Sequence, residues 1–478
     1  MEAGLPDRLH REPSSASAGI VHLGLGAFFR AHGAVYVAEA MEAEGGDWGI
    51  IGVSLQSPGT RDRLKPQGWA YTAVELGPDG ETPRIVEVLR DVLVAPEDAR
   101  AVLDAMAAPT THIVSLTVTE KGYCHEPATG RLNRDHPDIR HDLRIPLPKS
   151  APGFLVRALQ ARRDAGHPPF TVLCCDNLPE NGRVVRGVVL DLARLIDPAL
   201  ADWIESEGAF PSTMVDRIAP ATTDADLDRL EAATGIRDDA AVMHEPFRQW
   251  VIEDDFCGPR PAFEKVGVEM VADVTPFEHM KLRMLNGTHS SLAYLGYLAG
   301  HETIAETIAD PVFSNFVRRL WRDEIIPVLT PPPGVDLAGY ADALHDRYAN
   351  PGIRHRTWQI AMDGSQKLPQ RIFGTIAEGR AAGRDMSGLT LAVAGWIRYV
   401  SGRDEKGKAI EVKDPLADKL AAQWTDDPAN TVRNMLALSE VFPAVLRDDD
   451  GFARALTEAL AGLISDGARA SVARRGDA

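Results

Sequence analysis

"IVHLGLGAFFRAH", Ile20 to His32, decides the fold. An apolar run without alternation reads as a strand buried on both faces. It ends at Gly24-Leu25-Gly26, and "RAHGAVYVAEAMEAEG" continues with helical spacing. Strand, glycine turn and helix in that order are the context in which a backbone approaches a pyrophosphate, with helix N–H groups facing it. Counting from Gly24, the third glycine of the usual fingerprint is replaced by Phe29, and Arg30 follows, a side chain suited to a phosphate. The same residues would also serve as a tight turn with no ligand. The next strand, "IIGVSL", runs into Gln56-Ser57 with no acid for a ribose, and Asp62 comes later between two arginines. Spacing therefore leaves NAD and NADP both open.

Strands and helices alternate downstream. "YTAVEL" and "RIVEVLRDVLVA" read as strands, "EDARAVLDAMAAP" as a helix, "THIVSLTVTEKGY" as a strand and "GFLVRALQARRDAG" as a helix. "FTVLCCDNLPENG" reads as strand then loop, "VVRGVVLDLARLI" as a helix and "STMVDRIAP" as a short strand. Alternation of this kind predicts an open, mainly parallel sheet with helices on both faces. After about Val274 the texture turns helical, over 276–299, 310–328, 336–348, 353–362, 388–400, 414–424, 429–440 and 450–465. Two domains follow, 1–274 and 275–478, as a chain of 478 residues suggests.

A net charge of −18 disfavours nucleic acid and anionic membranes. The four cysteines, Cys124, Cys174, Cys175 and Cys257, form no C-x-x-C pair and read as buried thiols of a cytoplasmic protein. The first residues lack the apolar run of a signal peptide, and no stretch is long and apolar enough to span a bilayer.

Ligands of open α/β sheets lie beyond the carboxyl ends of the strands. Three strands end there in an isolated polar group: Glu120, Asn177 and Asp216. Each alone would suit a turn or cap. In "VTPFEHMKLRMLNGTHSSLAYLGYLAG", Thr275, Pro276 and Glu278 form a capping box opening a helix that runs to about Gly300. At α-helical spacing, His289 lies ~80° and Asn286 ~140° around from Lys281, close enough to line one cavity. Gly287 costs about 1 kcal/mol there, which a close-packed cofactor or backbone would justify. A lysine beside an oxidised nicotinamide is suited to general base work, asparagine amides to holding an alkoxide, and histidine to a substrate hydroxyl. A snorkelling lysine and a core histidine account for the spacing equally well. The cysteines sit poorly for a catalytic zinc, and no tyrosine has lysine four residues on.

The chain resembles the mannitol dehydrogenase family of polyol-specific long-chain dehydrogenases. The resemblance rests on "IVHLGLGAFFRAH", "SLTVTEKGY", "CDNLPENG", "TMVDRIAP", "EPFRQWVIEDDF", "KLRMLNGTHS" and "DGSQKLP", in order across both halves. It implies a Rossmann-type N-terminal domain, an α-helical C-terminal domain, an active site in the cleft between them, and metal-independent hydride transfer with NAD. Lys281 would be the general base, Asn177 and Asn286 would hold the reacting oxygen, and His289 would contact substrate. Glu120 would lead protons to solvent. Asp216 and Lys367, with Gln359 and Arg356, would bind substrate. Gly24, Leu25, Gly26, Ala27, Phe28 and Arg30 would hold the cofactor.

"EPFRQWVIED", "RHRTWQIAMDGSQKLPQR" and "VAGWIRYVSGRDEKGKAIEVKDP" resemble the fructuronate reductase, or mannonate oxidoreductase, branch. Mannitol-oxidising members can carry arginine where this chain has Gln359. Arg354, His355, Arg356, Lys367 and Arg371 against Asp363 suit a carboxylate, or a basic exposed turn. The expected substrate pair is D-fructuronate and D-mannonate. The alternatives are a polyol such as mannitol, arabinitol or sorbitol, or a non-catalytic NAD-binding sensor. The expected assembly is a monomer or small homo-oligomer.

Overall fold

The computed structural model describes residues 7–12, 17–126 and 129–476, so part of the N-terminal stretch read above lies outside it. The chain divides into two compact units, Met1–Thr275 and Pro276–Ala478.

The first unit is built on five parallel strands: β1 (Ala18–Leu23), β2 (Gly49–Ser54), β3 (Leu89–Val94), β4 (Ile113–Leu116) and β5 (Thr171–Cys174). Their spatial order is β3-β2-β1-β4-β5, which puts the chain reversal beside β1. That is the strand order of a doubly wound dinucleotide fold, with ligand space at the carboxyl end of β1. Val21 faces Ile51 on one side and Val114 on the other. Val21, Leu23, Val114 and Val172 join a core with helices Ala99–Ala107, Ala151–Asp164 and Asn181–Ile196. Ile20, Ile50, Ile113 and Leu173 join a second core with helix Gly33–Glu44. Two-sided burial is why these strands are mostly apolar, with His22 and Ser115 among the buried polar exceptions and Arg90 and Asp91 in β3 only half-buried.

Smaller sheets are added. Tyr71–Gly77 pairs antiparallel with Gly80–Val86 and parallel with Val242–His244. Thr213–Asp216 pairs antiparallel with Gln249–Glu253, which pairs parallel with Glu269–Val271. Helices Pro198–Glu207 and Asp224–Thr234 also belong to the unit.

The second unit is helical. Three of its helices widen into π turns: Lys281–Gly287 between Thr275–Met280 and Thr288–Ala299, Leu320–Ile325 after Pro311–Arg319, and Pro369–Phe373 between Gly364–Leu368 and Gly374–Ala381. The helix expected over 353–362 is reduced to Thr357–Ile360, and the chain reverses at Asp363, φ 57°. An interrupted helix then fills 364–381, between the stretches expected to be helical. The proline, lacking an N–H, stands where the winding changes from α to π. Thr275, expected as the cap, is the first helical residue, and Asp273 Oδ1 accepts its N–H at 3.0 Å. No helix among the described residues is long and apolar enough to cross a membrane.

Candidate active site

Strand β1 delivers Gly24 at φ 91°, where a Cβ would lie 2.2 Å from the Thr117 carbonyl oxygen. Only glycine fits such a turn. Gly24 and Leu25 N–H groups donate to Val53 O at 2.9 and 3.1 Å, and Thr117 Oγ1 donates to Gly24 O at 2.9 Å. Gly26 serves differently. Its backbone is extended, and a Cβ there would meet only Gly24 O at 3.8 Å, so the surface above it is open for a pyrophosphate to approach. Helix Ala27–Ala31 begins directly after it, with Ala27 and Phe28 half-buried.

Phe29, in place of the third glycine, stacks flat on the buried His22. Gly33 makes room for it, because a Cβ there would come within 2.6 Å of the Phe29 ring. His22 hydrogen-bonds Ser115 and Thr117 hydroxyls, each at 2.9 Å. Since Thr117 donates to Gly24 O, His22 donates to Thr117 through Nε2 and accepts from Ser115 at Nδ1. Burial pushes its pKa down to about 3, so a neutral imidazole braces the turn from behind. Arg30 is 5% exposed and gives its guanidinium to the carbonyls of Gly26 and Ala240. It fastens the turn from within, instead of facing a phosphate as its position suggests. The residues present fit a dinucleotide: a strained turn only glycine allows, an open approach at Gly26, and a helix start.

The three polar strand ends of this unit are tied together by two residues with no role in the sequence reading. Asp176, just before Asn177, accepts from the N–H groups of Val118 and Thr119 at 2.8 and 3.0 Å and from Tyr123 O–H at 2.5 Å. That joins the loops after β4 and β5, and burial raises the Asp176 pKa. Asn181 donates to Asp176 O at 3.0 Å and Thr213 O at 2.9 Å, and accepts from Thr213 N–H at 2.9 Å. That joins the β5 loop to the strand ending in Asp216. Glu120 and Asn177 are exposed and Asp216 is buried. Thr119 and Glu180 hold positive φ without being glycine, 66° and 48°. Backbone strain of this sort gathers where loops must be held for function. The only sequence signal for the two ties was the polar run "CDNLPENG".

In the second unit, Lys281 opens the first π turn and is 8% exposed, Asn286 is half-buried near its end, and His289 lies one turn on, 7% exposed. The arcs expected from α spacing do not apply, because π winding is wider. Gly287 has ordinary helical angles, φ −64° and ψ −50°. Its missing Cβ is explained by the π turn Pro369–Phe373, since a Cβ would lie 2.8 Å from Arg371 O. A backbone is the close neighbour.

His289 stacks on Tyr348, with centroids 5.2 Å apart, and meets His355 edge-on at 4.7 Å. Burial, then His355, Arg371, Arg347 and Lys367, hold its pKa well below the usual value. His355 is pushed down to about 4 by burial and by Lys367. Lys367 Nζ donates to Met362 O at 2.7 Å and lies 3.8 Å from Asp363, and Arg371 donates to Ser290 Oγ at 3.1 Å. The basic segment read from sequence therefore divides. His355, Lys367 and Arg371 act on His289, joined by Arg347 from helix Leu337–Ala349, outside the segment considered. Arg354, Arg356 and Gln359 are exposed, and Arg356 lies 3.7 Å from Glu302. Among the described residues, no three His, Cys, Asp or Glu side chains are placed to hold a metal, and the four cysteines are free thiols.

The arrangement can hold a neutral imidazole and an amine beside a helix amide, within a positive field. Comparisons with known proteins give the family. The mannitol dehydrogenase Rossmann domain model matches residues 18–265 and the mannitol dehydrogenase C-terminal domain model residues 273–464. D-mannonate oxidoreductase of Escherichia coli is 48% identical over 462 residues, covering 95% of each chain. Mannitol 2-dehydrogenase of Phaeosphaeria nodorum is 42% identical, covering 95% of this chain and 81% of its own. The solved Pseudomonas fluorescens mannitol 2-dehydrogenase, in ternary complex with NAD and D-mannitol, superposes with a TM-score of 0.87 at 39% identity, covering 98% of this chain and 96% of its own.

Proposed function

The chain belongs to the mannitol dehydrogenase family of NAD-dependent oxidoreductases acting on CH–OH groups, and on that footing we propose that it interconverts a sugar acid and its keto form, D-mannonate and D-fructuronate. The observation that carries the choice is the basic surround of His289: His355, Arg371, Arg347 and Lys367 each help to hold its pKa down, and Arg371 donates to the neighbouring Ser290 Oγ. In a chain of net charge −18 such a cluster favours a carboxylate, through charge-assisted hydrogen bonds. The 48% identity to a D-mannonate oxidoreductase supports the same choice.

In reduction, NADH supplies the hydride. Lys281, as ammonium, gives a proton to the carbonyl oxygen, and the amide of Asn286 holds that oxygen as charge develops on it. In oxidation, neutral Lys281 takes the proton back. His289, held neutral, shares a hydrogen bond with a substrate hydroxyl, and Lys367 orients the substrate by its carboxylate. Gly24 and Gly26 admit the pyrophosphate.

The competing reading is a polyol dehydrogenase, favoured by the 42% and 39% identities to mannitol 2-dehydrogenases. Initial rates with NAD on D-mannonate and D-mannitol, side by side, separate the two. A kcat/KM for D-mannonate at least about 100-fold higher is expected, the worth of one charge-assisted contact. Equal values, or a preference for mannitol, would reject the acid.

A further inference from the structure

We propose that Tyr348, backed by Trp321, is a positioning residue that holds the π turn carrying Lys281 and Asn286 in its reactive shape. The proposal rests on the proton-transfer role given to Lys281 above.

Where π winding returns to α winding, the hydrogen-bond ladder changes step, and carbonyls there need donors from outside. Two carbonyls in Lys281–Gly287 receive them. Met284 O accepts from Trp321 Nε1 at 2.9 Å and from Thr288 Oγ1 at 2.5 Å. Leu285 O accepts from Tyr348 O–H at 2.8 Å as well as from the Thr288 backbone N–H, and the Tyr348 and Thr288 hydroxyls lie 2.9 Å apart. All three donors are buried: Trp321 is 1% exposed, Tyr348 3% and Thr288 0%. Leu285 immediately precedes Asn286, and Met284 lies midway between Lys281 and Gly287.

The Tyr348 ring does a second job. One face stacks on His289, and the ring also stacks on Trp321, with centroids 6.1 Å apart and planes 24° from parallel. The hydroxyl thus fixes the backbone next to Asn286 while the ring fixes the imidazole. Without the hydroxyl, Leu285 O keeps the Thr288 N–H but loses its donor from outside the helix in a site closed to water, and the widened turn gains reason to relax toward ordinary α winding. That relaxation rotates Lys281 against Asn286. A misplacement of about an ångström is enough to slow chemistry while leaving binding intact.

The test uses Tyr348→Phe, which keeps the ring and removes the hydroxyl, and Trp321→Phe, which removes the indole N–H. Each is assayed in the full chain with both sugar-acid substrates, beside Lys281→Ala. Expected for Tyr348→Phe is a fall in kcat of about tenfold, the worth of one buried hydrogen bond. KM and the NADH Kd should stay within about twofold, with a raised solvent deuterium isotope effect on kcat as proton transfer lags. Trp321→Phe should move kcat the same way by less. Unchanged kcat and isotope effect in Tyr348→Phe, with Lys281→Ala inactive, would overturn this inference and leave the lysine's role standing. A kcat loss matched by equal losses of NADH affinity and thermal stability would also overturn it, marking Tyr348 as merely structural. Near-normal turnover by Lys281→Ala would remove the underlying reading, and this inference with it.

Discussion

Gly287→Ala sets two effects of known sign against each other. Its backbone is helical, φ −64° and ψ −50°, so propensity alone predicts that alanine stabilises by about 1 kcal/mol. The packing says otherwise. The new Cβ would sit 2.8 Å from Arg371 O, inside the 3.0 Å that Cβ atoms essentially never breach. The obstacle is backbone in Pro369–Phe373, itself a π turn, so no side chain can swing clear. Overpacking of this kind costs about 1–3 kcal/mol, which leaves a net destabilisation of roughly 0–2 kcal/mol. Gly374→Ala is the internal control. It too has helical angles, φ −60° and ψ −44°, but its Cβ would meet nothing within 4 Å. It should stabilise by about 0.5–1 kcal/mol. Thermal melts of both full-length variants should therefore part by several degrees, at about 2–4 °C per kcal/mol for a unit of this size. Gly287→Ala should also lose turnover, because the contact lies next to Asn286. If Gly287→Ala melts as high as Gly374→Ala with full activity, the close approach of the two π turns is wrong.

Gly24→Ala should weaken NADH binding by about two orders of magnitude and lower stability. It combines positive-φ strain with a 2.2 Å clash on Thr117 O, together about 3 kcal/mol or more, and a fluorescence titration reads it. Stability should fall as pH drops below about 6.5, because burial holds His22 at about 3 and His244 and His355 at about 4 in the folded chain. The unfolded chain then takes up protons that the folded one refuses, about 1.4 kcal/mol per group per pH unit; denaturant midpoints that stay flat from pH 7.5 to 5 would contradict it. Lys367→Met should cost D-mannonate turnover about 10–100-fold in kcat/KM and D-mannitol turnover far less, the difference being one charge-assisted hydrogen bond; equal losses would place the carboxylate elsewhere.

The parallel sheet was legible because two-sided burial writes mainly apolar strands without alternation, as at Ile20–Leu23 and Ile113–Leu116, where His22 and Ser115 are the single polar exceptions. The glycine turn was legible because Gly24 has no substitute. Arg30 misled, since an arginine after a glycine turn looks the same in sequence whether it faces a phosphate or, as here, carbonyls of Gly26 and Ala240. The π turns were illegible: nothing in "KLRMLNG" or "PQRIF" distinguishes a widened turn from an α turn. Their cause lies in donors distant in the chain, Trp321 and Tyr348, and in the approach of Arg371 O to Gly287. Asp176 and Arg347 escaped for a similar reason. A carboxylate that ties two loops, or an arginine that reaches a histidine from another helix, leaves no spacing to read.

Single-turnover hydride transfer from NADH to D-fructuronate, followed at 340 nm for the parent chain and for Lys281→Ala with NADH affinity measured in parallel, bears most directly on the proposed chemistry. Loss of about 10²–10⁴-fold in the transfer rate, with NADH bound as before, is the expected result for a missing general acid. A rate within a few-fold of the parent would mean that some other group delivers the proton, and the proposed chemistry would fall.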